Sequence, residues 1–381
     1  MILAYILFWA SIFLVVYSYV LYPVIVLVWA ALKKERALPL QPELPSVSLI
    51  MSVYNEERVI VEKMKNIASI EYPREKIEVI IGSDCSTDAT LERANSASSA
   101  RTRIVNFEKR RGKAAVLNDL AAAAKNEILV FSDGDTFYQP DALTKMARHF
   151  SDPSVGGVCG SLHLEASRTN SGGTAEALYW RYENAIKESE GKIKTTFGAT
   201  GAIYAIRRAL FSPLSTEMLM ADDFLIPLHA VRNGFNIRYE PSAECWEETA
   251  DSTSNEFHRK IRIGAASFNG LPIIAPLLNP RYGFIAFGLI SHKLIRWIVP
   301  FLLMIIFVAS VCLSTQGGIY LYVLIAEFLF VCLAGIGYIL DTKSKPIMLF
   351  TMPYYFIIAN AGLFVGFVRF LRGTQRTVWN V

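Results

Sequence analysis

Charge is what this chain is short of. Asp, Glu, Lys and Arg make up 19% of its 381 residues and hydrophobic residues 52%, against about 25% and roughly 45 to 50% in soluble domains. That excludes an ordinary soluble protein and fits a membrane protein with a sizeable soluble part. A strong excess of one sign is also missing, since 38 basic and 34 acidic side chains leave only +4. Nucleic acid is therefore excluded as a partner. Cysteine is scarce: Cys85, Cys159, Cys245, Cys312 and Cys332 are odd in number, lack metal-ligand spacing, and two fall in apolar runs. They read as reduced and structural. No Walker-type glycine loop with Lys and Ser/Thr occurs, which argues against P-loop phosphoryl transfer.

What charge there is lies unevenly. Residues 1 to 36 carry +2 and residues 283 to 381 carry +5, leaving −3 for 37 to 282. Residues 2 to 32 hold no charge, enough to cross a hydrocarbon core that takes about 20 residues. A signal peptide is disfavoured because Lys33, Lys34 and Arg36 follow the apolar stretch rather than precede it. Those charges place the next segment in the cytosol. Apolar runs recur at 297 to 313, 318 to 340 and 346 to 368, and the stretch 283 to 296, with His292, Lys293 and Arg296, reads as an interfacial helix. If all runs cross, Arg369, Arg372 and Arg376 fall outside, against the positive-inside tendency. With Pro346, Pro353, Gly362 and Gly366, the last run is alternatively re-entrant or interfacial. The expected division is a membrane helix at 1–36, a cytosolic domain at 37–270, interfacial helices at 271–296 and a membrane region at 297–381.

After a linker with Pro39, Pro42 and Pro45, short β-rich runs alternate with helical stretches. Strands are expected at 47 to 53, 77 to 82, 102 to 106, 127 to 132 and 155 to 161. Helices are expected between them at 57 to 70, 88 to 98, 112 to 125 and 140 to 150, then near 174 to 191 and 221 to 233. This alternation means an α/β domain with a mostly parallel sheet. Open sheets of this kind bind ligands beyond the carboxyl ends of their strands. The polar clusters fall there: Tyr54-Asn55-Glu56-Glu57, Asp84-Cys85-Ser86-Thr87-Asp88 and Asp133-Gly134-Asp135. An isolated acid such as Asp88 or Asp141 reads as a helix cap. The Asp133/Asp135 pair instead offers hard oxygen ligands to Mg²⁺ or Mn²⁺, ions held by one or two carboxylates plus substrate phosphates. A metal-bridged diphosphate, with a nucleoside diphosphate as leaving group, is implied.

Together these residues resemble glycosyltransferase family 2, inverting enzymes of GT-A fold that include cellulose, chitin and hyaluronan synthases and bacterial exopolysaccharide transferases. The resemblance covers about 46 to 270 and extends into the membrane tail. It implies that Tyr54, Asn55 and Glu56 form the opening nucleotide-binding turn and that Asp84 contacts base or ribose. Arg111-Gly112-Lys113 and Asn118 resemble the stretch flanking the nucleotide, and Asp133-Gly134-Asp135 matches the DXD element with Asp135 as the principal metal ligand. Phe197-Gly198-Ala199-Thr200-Gly201 resembles the segment by the acceptor; a plain buried strand is the other reading. Ala221-Asp222-Asp223 stands where the family carries Thr-Glu-Asp, which makes Asp223 the general base and Asp222 either a cap or the base itself.

Arg259-Lys260-Ile261-Arg262-Ile263 stands in the place of Gln-x-x-Arg-Trp. Arg262 is kept for the diphosphate, while Arg259 and Ile263 replace Gln and Trp. Losing the aromatic ring weakens the case for processive synthesis. Trp246 and His258 are further acceptor-side candidates, each read first as packing.

The resemblance implies a metal-dependent, multi-pass enzyme of a bacterial-type inner membrane. It would move a sugar from a nucleotide donor, a UDP-sugar by preference, to a lipid-linked oligosaccharide or polysaccharide at the cytosolic face. A processive synthase coupled to export and a non-catalytic protein of transferase fold are the alternatives.

Overall fold

The structure is a computed structural model. It describes residues 1–34, 43–165, 172–217, 219, 221–248, 253–343 and 347–374. Pro39 and Pro42 of the linker, Arg36, Lys345, Pro346 and Arg376 lie outside the described residues.

One mixed sheet carries the soluble part. Its strands are β1 (Val47–Val53), β2 (Ile77–Ser83), β3 (Thr102–Asn106), β4 (Ile128–Ser132), β5 (Phe137–Tyr138), β6 (Val155–Glu165), β7 (Ile203–Arg207) and β8 (Asn236–Glu248). They lie side by side in the order β3-β2-β1-β4-β7-β6-β8-β5. The neighbours β3-β2-β1-β4 are parallel, as is β6-β8, while β7 runs antiparallel to both β4 and β6 and β5 antiparallel to β8. The expected parallel half is therefore present, and the antiparallel insertion of β7 makes the whole sheet mixed.

Both faces are covered, which is why the central strands are apolar at consecutive positions, as in Leu49-Ile50-Met51 and Val79-Ile80-Ile81. Alternate residues feed two cores: Leu49, Met51, Val79, Ile81 and Val130 on one face, and Ile50, Ile80, Leu129 and Phe131 on the other. The helices Ile60–Ala68 and Ala142–Ala147 cover the first, and Lys113–Ala123 and Asp222–Arg232 cover the second. The second core runs without a break into the membrane-proximal region through Phe268, Ile274, Leu277, Ile285, Leu289 and Trp297. Phe197 presses directly on Gly288, where no Cβ would fit.

Among the described residues, four helical segments are long and apolar enough to cross a membrane: Ile2–Ala31, Phe284–Gln316, Ile319–Thr342 and Met348–Arg372. The stretch 283–296, expected as an interfacial helix leading into the next apolar run, continues directly into that run as Phe284–Gln316. Its polar residues are not at a lipid surface, because acids of the helix Gly172–Ile193 bury them. His292 Nδ1 and Nε2 lie 2.6 Å from Glu190 and 2.9 Å from Glu183, and Arg296 Nη1 is 2.9 Å from Glu183. Tyr22 Oη of the first apolar helix donates to Glu190 at 2.7 Å.

The last helix packs by Gly362 and Gly366 against Lys260, Ile261 and Ala265 of the helix Thr253–Asn269. Phe356 meets Tyr19, whose ring lies 5.3 Å from the Arg296 guanidinium. Eleven residues further on, Phe367 meets Phe301 and Phe268. The first half of the last helix also packs along Ile319–Thr342, through Gly337 against Phe350 and the ring pairs Phe330–Phe356 and Tyr338–Tyr354.

Candidate active site

Register brings the polar clusters together. Val53 is paired with Ser83 and Met51 with Ser132, so Tyr54, Asp84 and Asp133 leave the sheet along one edge. The antiparallel pair Ser132 and Ile203 brings the turn before β7 against Asp133, and the pair Phe137 and Trp246 brings Glu247 towards Asp135. The segment Phe197–Gly201 is this turn and not a strand.

The first two clusters chiefly build the cleft wall. Asn55 has φ 54°, in the left-handed region that Asn tolerates, and its Oδ1 accepts from the Thr87 amide at 2.9 Å. Its own amide donates to Ser86 Oγ at 3.2 Å. The Arg110 guanidinium lies flat over Tyr54, 3.5 Å from the ring centroid. Asp88 caps the following helix by accepting the Thr90 amide at 3.0 Å. Asp84 is buried, and its two oxygens accept the amides of Arg111 at 2.7 Å and Gly112 at 2.8 Å. In this structure it holds the loop before Lys113. Asn118 likewise ties down Leu214 by two backbone contacts of 2.9 Å.

Lys113 is the electrostatic centre. Its Nζ lies 2.7 Å from Asp133 and 3.3 Å from Asp222, joining the DXD turn to the helix Asp222–Arg232. Burial opposes the charge, but Asp133 and then Asp222 raise the ammonium above its usual range. Asp133 is held low, against burial, chiefly by Lys113.

Asp135 is exposed in the cleft, and no side chain of a described residue donates to it. Burial among protein atoms and then Asp133 raise it. Burial, then Asp135, Asp133 and Asp88, push Glu56 up to about 7. Glu247 is raised well above its usual range by burial and by Asp135 and Asp133. These carboxylates repel one another, and a hard divalent cation relieves that repulsion, so the residues fit Mg²⁺ or Mn²⁺. No set of three or more His, Cys, Asp or Glu ligands is preassembled among the described residues. This matches an ion completed by substrate oxygens.

Protons compete with a cation for such groups, so Mn²⁺ affinity rises as the pH rises through about 7. Thermal unfolding with Mn²⁺ and UDP therefore shows a larger Tm increase at pH 8 than at pH 5.5, and an equal increase at both would contradict the assignment.

Asp222 and Asp223 occupy the first helical turn, after Ala221 as the N-cap residue. Neither caps the helix with its side chain. Asp222 pairs with Lys113 and accepts Tyr204 Oη at 3.3 Å. Asp223 Oδ2 accepts the Gly201 amide at 3.2 Å. Burial and then Asp222 push its carboxyl up to about 6, close to the ideal for a group that takes a proton at neutral pH. A Cβ at Gly201 would lie 3.2 Å from Asp133 Oδ2 and 3.7 Å from Asp223 Oδ2, so the missing side chain leaves the space between these two carboxylates open.

Arg262 is half-buried and within electrostatic reach of Asp133, Asp222 and Asp223. Arg259 is anchored away from a purely substrate role by Glu176 and by Glu256, the latter at 2.6 Å. Ile263 is 41% exposed, so the position where the family carries Trp presents only an aliphatic side chain. Trp246 stacks on His163 at 5.8 Å.

Sequence reasoning missed three residues here. Lys63 is fully buried beneath the DXD turn and donates to Ser132 Oγ at 2.8 Å and to the Thr136 carbonyl. Burial takes its ammonium down to about 8. Its signal was a charge at an apolar-face position, among Ile60, Met64 and Ile67. Glu247 had no signal before β8 was known. Lys187 had none either.

Residues 48–214 match the sequence model of "Glycosyl transferase family 2". Two curated relatives are poly-beta-1,6-N-acetyl-D-glucosamine synthases, from Staphylococcus aureus (strain COL), 25% identical, and from Staphylococcus epidermidis, 24% identical. Each alignment takes in 225 residues, 58% of this chain and 54% of the relative. The chain thus spans about half the length of the curated relatives it matches. Among solved structures, a mannosyltransferase, PcManGT from Pyrobaculum calidifontis in complex with GDP-Man and Mn²⁺, is similar over 97% of this chain and 100% of its own. The TM-score is 0.71 at 21% identity, a likeness of fold that takes in the apolar helices. The chain accordingly carries a glycosyl transferase family 2 domain, folded as GT-A and joined to apolar helices.

Proposed function

We propose that the protein is a membrane-bound inverting glycosyltransferase that moves a sugar from a nucleotide-sugar to a saccharide acceptor at the cytosolic membrane face. The observation that carries this reading is the convergence of Asp133, Asp222 and Asp223 around Lys113 and Gly201, with Asp135 open to the cleft. Asp135, helped by Asp133, would hold a divalent cation that neutralises charge on the leaving diphosphate. Tyr54, Asn55 and Glu56 line the nucleoside side, with Asp84 fixing the adjoining loop. Arg262, and from its anchored position Arg259, face the phosphates.

The acceptor hydroxyl oxygen attacks the anomeric carbon from the side opposite the diphosphate, and its proton passes to Asp223. The bond between the anomeric carbon and the phosphate oxygen breaks, and the nucleoside diphosphate leaves with the electron pair. One carboxylate suffices, because the attacking and leaving oxygens lie on opposite faces of the sugar.

The names of the curated relatives favour UDP-N-acetylglucosamine as the first donor to test, and they favour polymer synthesis as a second reading. Ile263 favours limited addition, since no ring stands there to stack on a growing glycan. Purified full-length protein with Mn²⁺ is offered UDP-N-acetylglucosamine and GDP-mannose, and nucleotide release and product length are measured. Release from one donor with short products is expected. Long polymers from a single primer would establish the processive reading, and no release from any of a panel of nucleotide-sugars would remove the transferase reading.

The membrane arrangement that fits the charges has three crossings, with Met348–Arg372 lying at the cytosolic interface. Phe367 and Phe370 then sit with Phe268 beside the catalytic core, and Arg369 and Arg372 obey the positive-inside tendency. In a background without the five native cysteines, a cysteine at Thr374 is expected to resist an impermeant maleimide in intact cells, as one at Lys34 does. Labelling at 374 alone would restore the fourth crossing.

A further inference from the structure

Asp223 receives a single backbone hydrogen bond on its carboxylate, from Gly201 at 3.2 Å. The turn that supplies it is held from two sides. From above, the Ala199 amide donates to the Asp223 carbonyl at 2.7 Å. From below, Lys187 Nζ donates to the Ala199 carbonyl at 3.0 Å and to Thr200 Oγ1 at 2.8 Å. Lys187 belongs to the helix Gly172–Ile193 and is 3% exposed. The Trp180 ring lies 5.3 Å from its Nζ, and no ion pair with it occurs among the described residues.

A buried ammonium without a contacting carboxylate is costly. Two neutral acceptors do not require a cation, since a neutral donor would satisfy them. What the charge does find is the Asp223 carboxylate beyond the turn. Around that carboxylate stand Asp222 on its own helix, Lys113 from the helix Lys113–Ala123, Asp133 from the DXD turn and Arg262 from Thr253–Asn269. Tyr204 of β7 and Cys159 of β6 also face it. Lys187 acts on Asp223 in the same direction as Lys113, favouring its charged form.

We propose that Lys187 is a positioning residue for proton transfer, fixing the Ala199–Gly201 turn so that the Gly201 amide meets Asp223. This inference rests on the reading of Asp223 as the base. Lys187 touches neither donor nor acceptor; it acts through the turn. Replacing it should therefore misplace Asp223 while leaving the nucleotide side of the cleft intact.

The first test needs no substrate. A structure of the full-length Lys187→Met protein in nanodiscs is expected to show the Gly201 amide withdrawn from Asp223, and retention of that hydrogen bond would overturn the inference. The second measures turnover with UDP-N-acetylglucosamine or GDP-mannose and Mn²⁺, per mole of protein that binds Mn²⁺ and nucleoside diphosphate. Lys187→Met is expected to lose about 10²-fold in kcat, the scale of a misplacement near 1 Å, with nucleotide affinity within about twofold. Thr200→Val is expected to lose about five- to tenfold, as for one hydrogen bond, and Thr200→Ser to keep wild-type turnover. A merely structural lysine would change the folded fraction and leave kcat per binding-competent molecule unchanged. Asp223→Asn is run in parallel: if it is inactive while Lys187→Met keeps full turnover, only the present inference falls. If Asp223→Asn itself turns over normally, the base assignment fails, and the role of Lys187 with it.

Discussion

Asp223→Asn lowers kcat by about 10²- to 10⁴-fold, the range supplied by a positioned general base, and leaves binding of nucleotide and Mn²⁺ within a factor of a few. The two effects separate because Asp223 faces Gly201 and the acceptor side, whereas the exposed carboxylate of the metal motif is Asp135. The asparagine can still accept the Gly201 amide, so the turn stays in place and the loss reports the missing proton acceptor. In the wild type the acid limb of kcat/KM falls near pH 6, because Asp223 must be ionised to act and is pushed up to about 6. Activity is present above that pH and lost below it, and Asp223→Asn removes the limb. Equal losses in kcat and in nucleotide affinity would move Asp223 into the donor site.

Asp135→Ala abolishes metal-dependent donor binding. Calorimetric titration of UDP in saturating Mn²⁺ should give no heat beyond that of metal-free protein, and chelation of the wild type should give the same result. The expected effect is large because Asp135 is the exposed carboxylate of the pair, whereas Asp133 is engaged by Lys113 at 2.7 Å. Asp133→Ala behaves differently. It also frees Lys113 from its 2.7 Å partner, leaving Asp222 as the lysine's remaining partner. Loss of nucleotide binding is then accompanied by loss of thermal stability, since the largely buried ammonium keeps only its longer 3.3 Å contact with Asp222. An unchanged Mn²⁺ titration in Asp135→Ala would contradict the metal assignment.

Much of this was legible from local pattern. Runs such as Leu49-Ile50-Met51 in Val47–Val53 and Ile128-Leu129-Val130-Phe131 in Ile128–Ser132 are apolar at consecutive positions because both faces are covered, and strands of that kind can be read without partners. The acidic groups following them mark the strand ends, which in a parallel arrangement share an edge. What could not be read was whatever depends on register between distant strands. The thirteen-residue β8 contains Pro241 and alternates irregularly between buried and exposed positions, and only its pairing with β5 brings Glu247 towards Asp135. Asp84 was legible as important and not as to its work, because accepting two backbone amides leaves no trace in residue type. The stretch 283–296 concealed its partners for the opposite reason. Its His292, Lys293 and Arg296 suggest a water-facing surface, and only Glu183 and Glu190, a hundred residues earlier and seven apart, reveal that the charges are neutralised inside.

The apolar layer that runs from Ile50 through Leu225 and Phe268 to Leu289 and Trp297 has a practical corollary. A fragment ending near residue 270 would lose the outer part of this layer, Ile274, Leu277, Ile285, Leu289 and Trp297, and Phe197, robbed of its seat on Gly288, would be left in water four positions before the amide that serves Asp223. No water-soluble head can be cut from this molecule with its chemistry intact, and bilayer thickness or detergent choice should register directly in the geometry of proton transfer.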